Sequence, residues 1–140
     1  LIVNGTLTGA SSGTNTGDQN IFQNVTTNGT TVTSVSQTGT RASVHIRLVI
    51  GASTTTGNNA VAYQFSVPYT AADLGQTVWS GTGWARDVSV GTTTACLATI
   101  STGTSIITLT APTGGSVRDG TPFTWQVGDF IDITMSYEVA

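Results

Sequence analysis

Residues 121–140 read TPFTWQVGDFIDITMSYEVA. After Gly128-Asp129, the apolar Ile131, Ile133, Met135, Tyr137 and Val139 alternate with Asp132, Thr134, Ser136 and Glu138. Successive side chains of extended backbone point to opposite faces, so this alternation predicts a strand with one dry face. Ahead of the glycine, Phe123, Trp125 and Val127 alternate with Thr124 and Gln126 and predict a second strand entering the same corner. The two share a core face only across an odd number of loop residues. With Gly128, Asp129 and Phe130 as the loop, Val127 faces Ile131, Trp125 faces Ile133 and Phe123 faces Met135. A two-residue loop sets Trp125 against Asp132 and wastes the largest apolar surface here. The expectation is a bulged hairpin, or a corner that crosses between two sheets.

Composition extends this reading to the whole chain. Its 140 residues, 14.3 kDa, fit one domain with or without an extended arm. Charged residues make up 8%, against about a quarter in ordinary domains. Thr and Ser fill the polar positions, with 17 Gly beside them. Thr favours pleated surface and Gly with Asn favours turns, so the fold class expected is all-β.

The cations are the arginines Arg41, Arg47, Arg86 and Arg118, with no lysine, and the net charge is -3 with a pI near 4.5. Such a surface lacks the positive field that phosphate groups require, which argues against nucleic acid and anionic membranes as partners. Missing lysine also removes Schiff-base and P-loop chemistry. A surface kept soluble by hydroxyls and amides suits extracellular particles and self-association. The single cysteine, Cys96, excludes an intrachain disulfide, so packing or other subunits must stabilise the fold. No apolar run approaches membrane-spanning length. A chain that opens on Leu1 and has Met135 as its one methionine reads as a piece of a longer polypeptide.

Along the chain, residues 1–40 are almost purely Gly, Thr, Ser, Asn and Val, with β-prone pieces at Leu1–Leu7, Ile21–Val25 and Thr31–Val35. This segment is expected to be an arm or fibre-shaft piece ordered by neighbouring chains, preceding a tip domain over 41–140. In the tip, Val44, Ile46, Leu48 and Ile50 alternate with Ser43, His45, Arg47 and Val49 as a central strand. After a Thr/Gly/Asn loop at Ser53–Asn59, Val61, Tyr63, Phe65 and Val67 give the next core face. Tyr69–Gln76 is a candidate helical turn with Thr70 as its N-cap and Gly75 as its stop. Thr77–Ser80 and Trp84–Val90 flank a tight-turn composition at Gly81-Thr82-Gly83, and Ala95–Ser101 and Ser105–Ala111 flank another at Thr102-Gly103-Thr104. The resulting eight or so strands, spaced by about 8–12 residues, predict a two-sheet antiparallel β-sandwich of jelly-roll type.

Two stretches carry a family resemblance. Gly9–Asn20, GASSGTNTGDQN, and above all Gly13–Gln19, resembles the GTNTGDQ segment of bacteriophage tail-fibre and related receptor-binding structural proteins. Pro122-Phe123, Trp125, Gly128-Asp129, Ile131 and Tyr137-Glu138 are similar to the ending of some phage fibre and minor structural proteins. Together they cover about a quarter of the chain, as counted along the printed sequence. The resemblance implies a homotrimeric, non-enzymatic virion protein whose β-structured tip contacts a glycan or protein receptor on the host surface, beside other virion proteins. It carries over no functional residue. A capsid-attached head fibre or decoration protein is the alternative on the same particle, and a bacterial carbohydrate-binding or adhesin domain the alternative outside it.

The residues with chemical potential have bland readings beside the sharp ones. His45 is the one histidine any Ser-His-Asp arrangement would need, yet it sits mid-strand as a structural or interface residue. Cys96, beside Ala95 and Leu97, reads as a buried thiol. Zinc would need more Cys and His. Asp129 and Asp132 suggest paired carboxylates or part of a calcium site. The favoured reading makes Asp129 a turn residue and pairs Asp132 with one of the four arginines. Asn15, Thr16, Gly17, Asp18 and Asn20 are like a calcium loop only in being oxygen-rich, and with no EF-hand spacing an Asx-type turn is favoured. The sequons at Asn4, Asn24 and Asn28 are uninformative in a chain so rich in Asn and Thr. Trp125 and Phe65 read as core. Trp79 and Trp84 each read by themselves as core packing; with Tyr69, and with Arg86 and Asp87 as hydrogen-bonding partners, they are also the candidate glycan platform, since an aromatic face covers the apolar side of a pyranose. Neither cofactor nor metal is expected.

Overall fold

The computed structural model describes residues 22–23, 31–52 and 61–140. The expected arm at 1–40 lies largely outside them, as do the GTNTGDQ segment at Gly13–Gln19, the turn at Asn15–Asn20, the sequons and the loop tip at 53–60. Among the described residues the fold is all-β without a helix. Its strands are β1 (Phe22–Gln23), β2 (Thr31–Thr38), β3 (Arg41–Val49), β4 (Gln64–Ser66), β5 (Val78–Asp87), β6 (Thr92–Ser101), β7 (Ile106–Thr110) and β8 (Phe130–Glu138).

All eight belong to one sheet in the order β1-β4-β7-β6-β5-β8-β3-β2. Every pairing is antiparallel. With β1 only two residues long, seven strands carry the sheet. Most of the expected strands are present, but in one curled sheet, a half-barrel, and not in two stacked sheets. Covalent geometry requires the curl. β1 and β2 lie at opposite edges, about 34 Å apart across a flat sheet at ~4.8 Å per strand. The chain from Gln23 to Thr31 reaches only about 28 Å at ~3.5 Å per residue.

Alternation places the core on the concave face. Ala42, Val44, Ile46 and Leu48 from β3, with Ile50 just past its end, meet Ile131, Ile133, Met135 and Tyr137 from β8, all at 4% exposure or less. Ala85, Cys96, Ala98, Ile100, Ile107 and Leu109 complete the wall, and Phe65 closes it on the far side. β2, the last part of the segment expected to be an arm, pairs with β3 from Thr31↔Leu48 to Thr38↔Arg41.

Three local expectations are corrected, each for a backbone reason. Phe123–Val127 is not a strand hairpinned to β8, because β3 and β5 occupy both edges of β8. Gly81-Thr82-Gly83 is not a turn. β5 runs straight through it, and the glycines serve close approach, since a Cβ on Gly81 would sit 2.3 Å from the Met135 Cβ and one on Gly83 2.5 Å from Leu109 Cδ2. The helical turn over Tyr69–Gln76 is absent because its amides bond elsewhere: Ala71 N donates to Thr104 O and Ala72 N to Glu138 O. That segment is a strap from the β6–β7 turn to the end of β8. Tyr137 Oη donates to Tyr69 O at 2.8 Å and Trp79 Nε1 to Ala72 O at 2.9 Å, fastening strap to core.

Candidate functional site

The two ends of the half-barrel differ. The C-terminal end carries the strap and the short turns at 39–40 and 102–105. The opposite end gathers the β5–β6 turn at 88–91, the chain after β3, and the long connection 111–129. Long loops on a rigid sheet are where binding surfaces concentrate.

What orders this end is Asp129, a carboxylate at 0% exposure. Its Oδ1 accepts from Val88 N at 2.9 Å and its Oδ2 from Gln126 N at 2.6 Å. Its carbonyl accepts from Ile50 N at 2.8 Å, while Gly128 N donates back to Ile50 O at 2.9 Å. One residue therefore joins three loops. Gly128, at φ 93°, supplies the left-handed bend that turns the side chain inward. The turn role expected for Asp129 holds, and the buried clamp extends it.

The connection 111–129 first doubles back on β7, with Val117 N donating to Leu109 O and Tyr63 N to Val117 O at 2.9 Å each. It then drops Trp125 into the end of the barrel, where the indole N–H reaches Arg118 O at 3.0 Å. Phe123 and Tyr63 pack on Trp125 with ring centroids 4.6 and 6.0 Å away. Trp125 and Phe65 are core residues, as the sequence predicts. Over this plug the loops present Val88, Val90 and Val127, exposed by 50%, 73% and 65%.

The five glycan-platform residues are not brought together. Trp79 and Trp84 are an odd number of residues apart on one strand, so they take opposite faces. Trp79 packs against the core and Trp84 stands 46% exposed on the convex face. Tyr69 lies in the strap at the C-terminal end and also packs on the core. Arg86 shares the convex face with Trp84 and bonds Thr93 Oγ1 at 2.6 Å. Asp87 closes the β5–β6 turn, accepting from Ser89 Oγ at 2.7 Å and Val90 N at 3.1 Å. Those two bonds, the hydroxyl's first, hold its carboxyl below the usual range. The missed signal is strand parity, which is legible only once Gly81-Thr82-Gly83 is read as strand.

On the convex face of β3 and β8, Asp132 accepts from Arg47 Nε at 2.7 Å and bonds His45 Nε2 at 2.9 Å. The Arg47 guanidinium lies 4.6 Å over the Phe130 ring. The expected Asp132–arginine pair is thus present, with His45 as a third member on the face opposite the core. Asp129 and Asp132 do not converge, one being buried in the loop clamp and the other on the convex face. Cys96 is buried, and burial pushes its thiol pKa up, the opposite of an activated nucleophile. Among the described residues no group of three His, Cys, Asp or Glu side chains is placed to hold a metal.

No family model matches the chain, and no curated protein or solved structure matches it.

Proposed function

We propose that the chain is a non-enzymatic structural and attachment module of a virus particle, the distal β-domain of a bacteriophage tail fibre. It acts as a homotrimer that contacts the host surface, and it takes its place in the virion among other fibre proteins. The observation that carries this reading is the loop end, where a buried carboxylate fixes loops that hold three valines out to water. Ordering a loop through a buried Asp removes the entropy cost of ordering it at the moment of contact. Exposed apolar side chains on such a rigid platform are contact surface. Residues Gly13–Gln19 support the fibre assignment by resemblance. Three equal, weak contacts on one fibre multiply into avidity.

A carbohydrate-binding or adhesin domain is the second reading, favoured by the exposed indole of Trp84 with Arg86 two positions on along the same face. It predicts a monomer. The test is binding of the fluorescently labelled full chain to a panel of bacterial cells. Val90→Glu and Val127→Glu are expected to abolish retention with the fold intact by circular dichroism. Undiminished binding by both variants would sink the loop-end reading.

A further inference from the structure

Strand parity separates Trp84 from the other aromatics but leaves it one charged companion. Trp84 and Arg86 are two residues apart on β5, so they share the convex face at a spacing of about 7 Å. The indole is 46% exposed. Its neighbour on β6 is Ala95, too small to cover the ring, and its neighbour on β8 is Asp132. Arg86 in turn stands opposite Thr93 on β6 and Phe130 on β8.

The charges around this indole are unevenly matched. Arg41 is paired with Glu138, and Arg47 with Asp132. Arg47 therefore balances the carboxylate nearest the ring, to which His45 Nε2 also bonds at 2.9 Å. Arg86 differs. Among the described residues its guanidinium bonds a neutral hydroxyl, with Nη1 donating to Thr93 Oγ1 at 2.6 Å. That bond holds the group in place and leaves its Nε–Nη2 edge without a partner among those residues. Such an edge is the fork that takes a planar carboxylate through two parallel N–H···O bonds. Asp87, next along the strand, is committed to the β5–β6 turn, where it accepts from Ser89 Oγ and Val90 N.

This chemistry selects the ligand. Nucleic acid needs several cations together, and a chain of net charge -3 offers one unpaired guanidinium here. A pyranose lays its apolar face on an indole. Its hydroxyls meet those of Thr82 and Thr93, and a threonine hydroxyl can donate or accept. The fork of Arg86 adds a demand that a neutral sugar does not meet, a carboxylate carried on the ring.

We propose that this part of the convex face binds a carboxylate-bearing pyranose, a uronic or sialic acid unit, stacked on Trp84 with its carboxylate in the fork of Arg86. The assignment rests on the carbohydrate reading of Trp84 and names the class of sugar. The test is retention of the labelled full chain on an array of uronic- and sialic-acid saccharides, each beside its methyl ester, together with neutral saccharides. The acids should bind about 10-fold more tightly than their esters, a preference that weakens as salt is raised. Arg86→Gln should abolish that preference while keeping ester binding, and Trp84→Ala should abolish both. Should Arg86→Gln fail to fold by circular dichroism, the acid–ester comparison on the wild type and Trp84→Ala carry the test. Acids and esters bound alike overturn the acidic-sugar assignment and leave the carbohydrate reading standing. An acid preference that survives Arg86→Gln, or acid binding that survives Trp84→Ala, overturns the site. An array on which no saccharide is retained overturns the carbohydrate reading as well.

Discussion

Asp129→Ala deletes the carboxylate that ties the β5–β6 turn to the 111–129 connection. Two bonds are lost, from Val88 N at 2.9 Å and Gln126 N at 2.6 Å, both to an acceptor with no exposure. Hydrogen bonds to a charged group contribute about 1.5–3 kcal/mol each, and their donors are left with no protein partner. Because the amides are only part-buried, water recovers some of the loss, and about 3–4 kcal/mol is expected. At ~2.1 cal/mol/K per residue, a chain of this length loses roughly 3–4 °C in Tm per kcal/mol, so the drop should be about 10–13 °C. Asp129→Asn keeps the shape but must aim its amide nitrogen at one of the two N–H donors, so it should lose about half as much. Thermal unfolding followed by circular dichroism measures both variants. Hydrogen exchange at the Val88 and Gln126 amides reports whether the loss is local to the clamp. A fall of less than about 3 °C in the alanine variant, with those amides still protected, would refute the clamp.

Two further outcomes follow from packing and burial. Gly81→Ala should cost about 3 kcal/mol and Gly83→Ala about 1 kcal/mol in urea unfolding. The new methyl at Gly81 meets Thr134 backbone and the Met135 Cβ, whereas at Gly83 it meets the movable end of Leu109; equal costs would contradict the close approach of β5 and β8. Burial, with a smaller contribution from Tyr69, pushes the Tyr137 phenol from 10.0 up to about 12. A group whose folded pKa is raised contributes stability that is whole below the unfolded value and is lost as pH rises through the folded one, here between about pH 10 and 12. That stability, on the order of 3 kcal/mol, should disappear across this window, and Tyr137→Phe should flatten the alkaline limb of a pH–stability profile. An unchanged limb would contradict the buried phenol.

How far the sequence reaches is visible in particular residues. His45 on the non-core face, Cys96 buried, Trp125 and Phe65 in the core, and Asp132 paired with an arginine are all legible. Each follows from the residue's type and, for all but the loop residue Trp125, from its parity within one strand. The glycan platform was not, because Trp79 and Trp84 reach opposite faces once β5 is continuous. Glycines in a Thr-rich run look the same whether they turn the chain or admit a neighbour's side chain. Only the position of Met135 and Leu109 distinguishes the two.

The amino-acid order alone determined that the chain is all-β, which residues of β3 and β8 face inward, and that its surface is poor in charge and rich in hydroxyls. Those are consequences of period-two alternation and composition, and both are local. The tertiary structure alone decided that β3 and β5 flank β8, that Trp125 plugs the barrel from a loop, that Asp129 is buried, and that Trp79 and Trp84 take opposite faces of β5. Those depend on which strand lies beside which. Backbone hydrogen bonding is blind to side-chain identity, so neighbours are chosen by the reach of connections and the filling of one core, which no single stretch encodes.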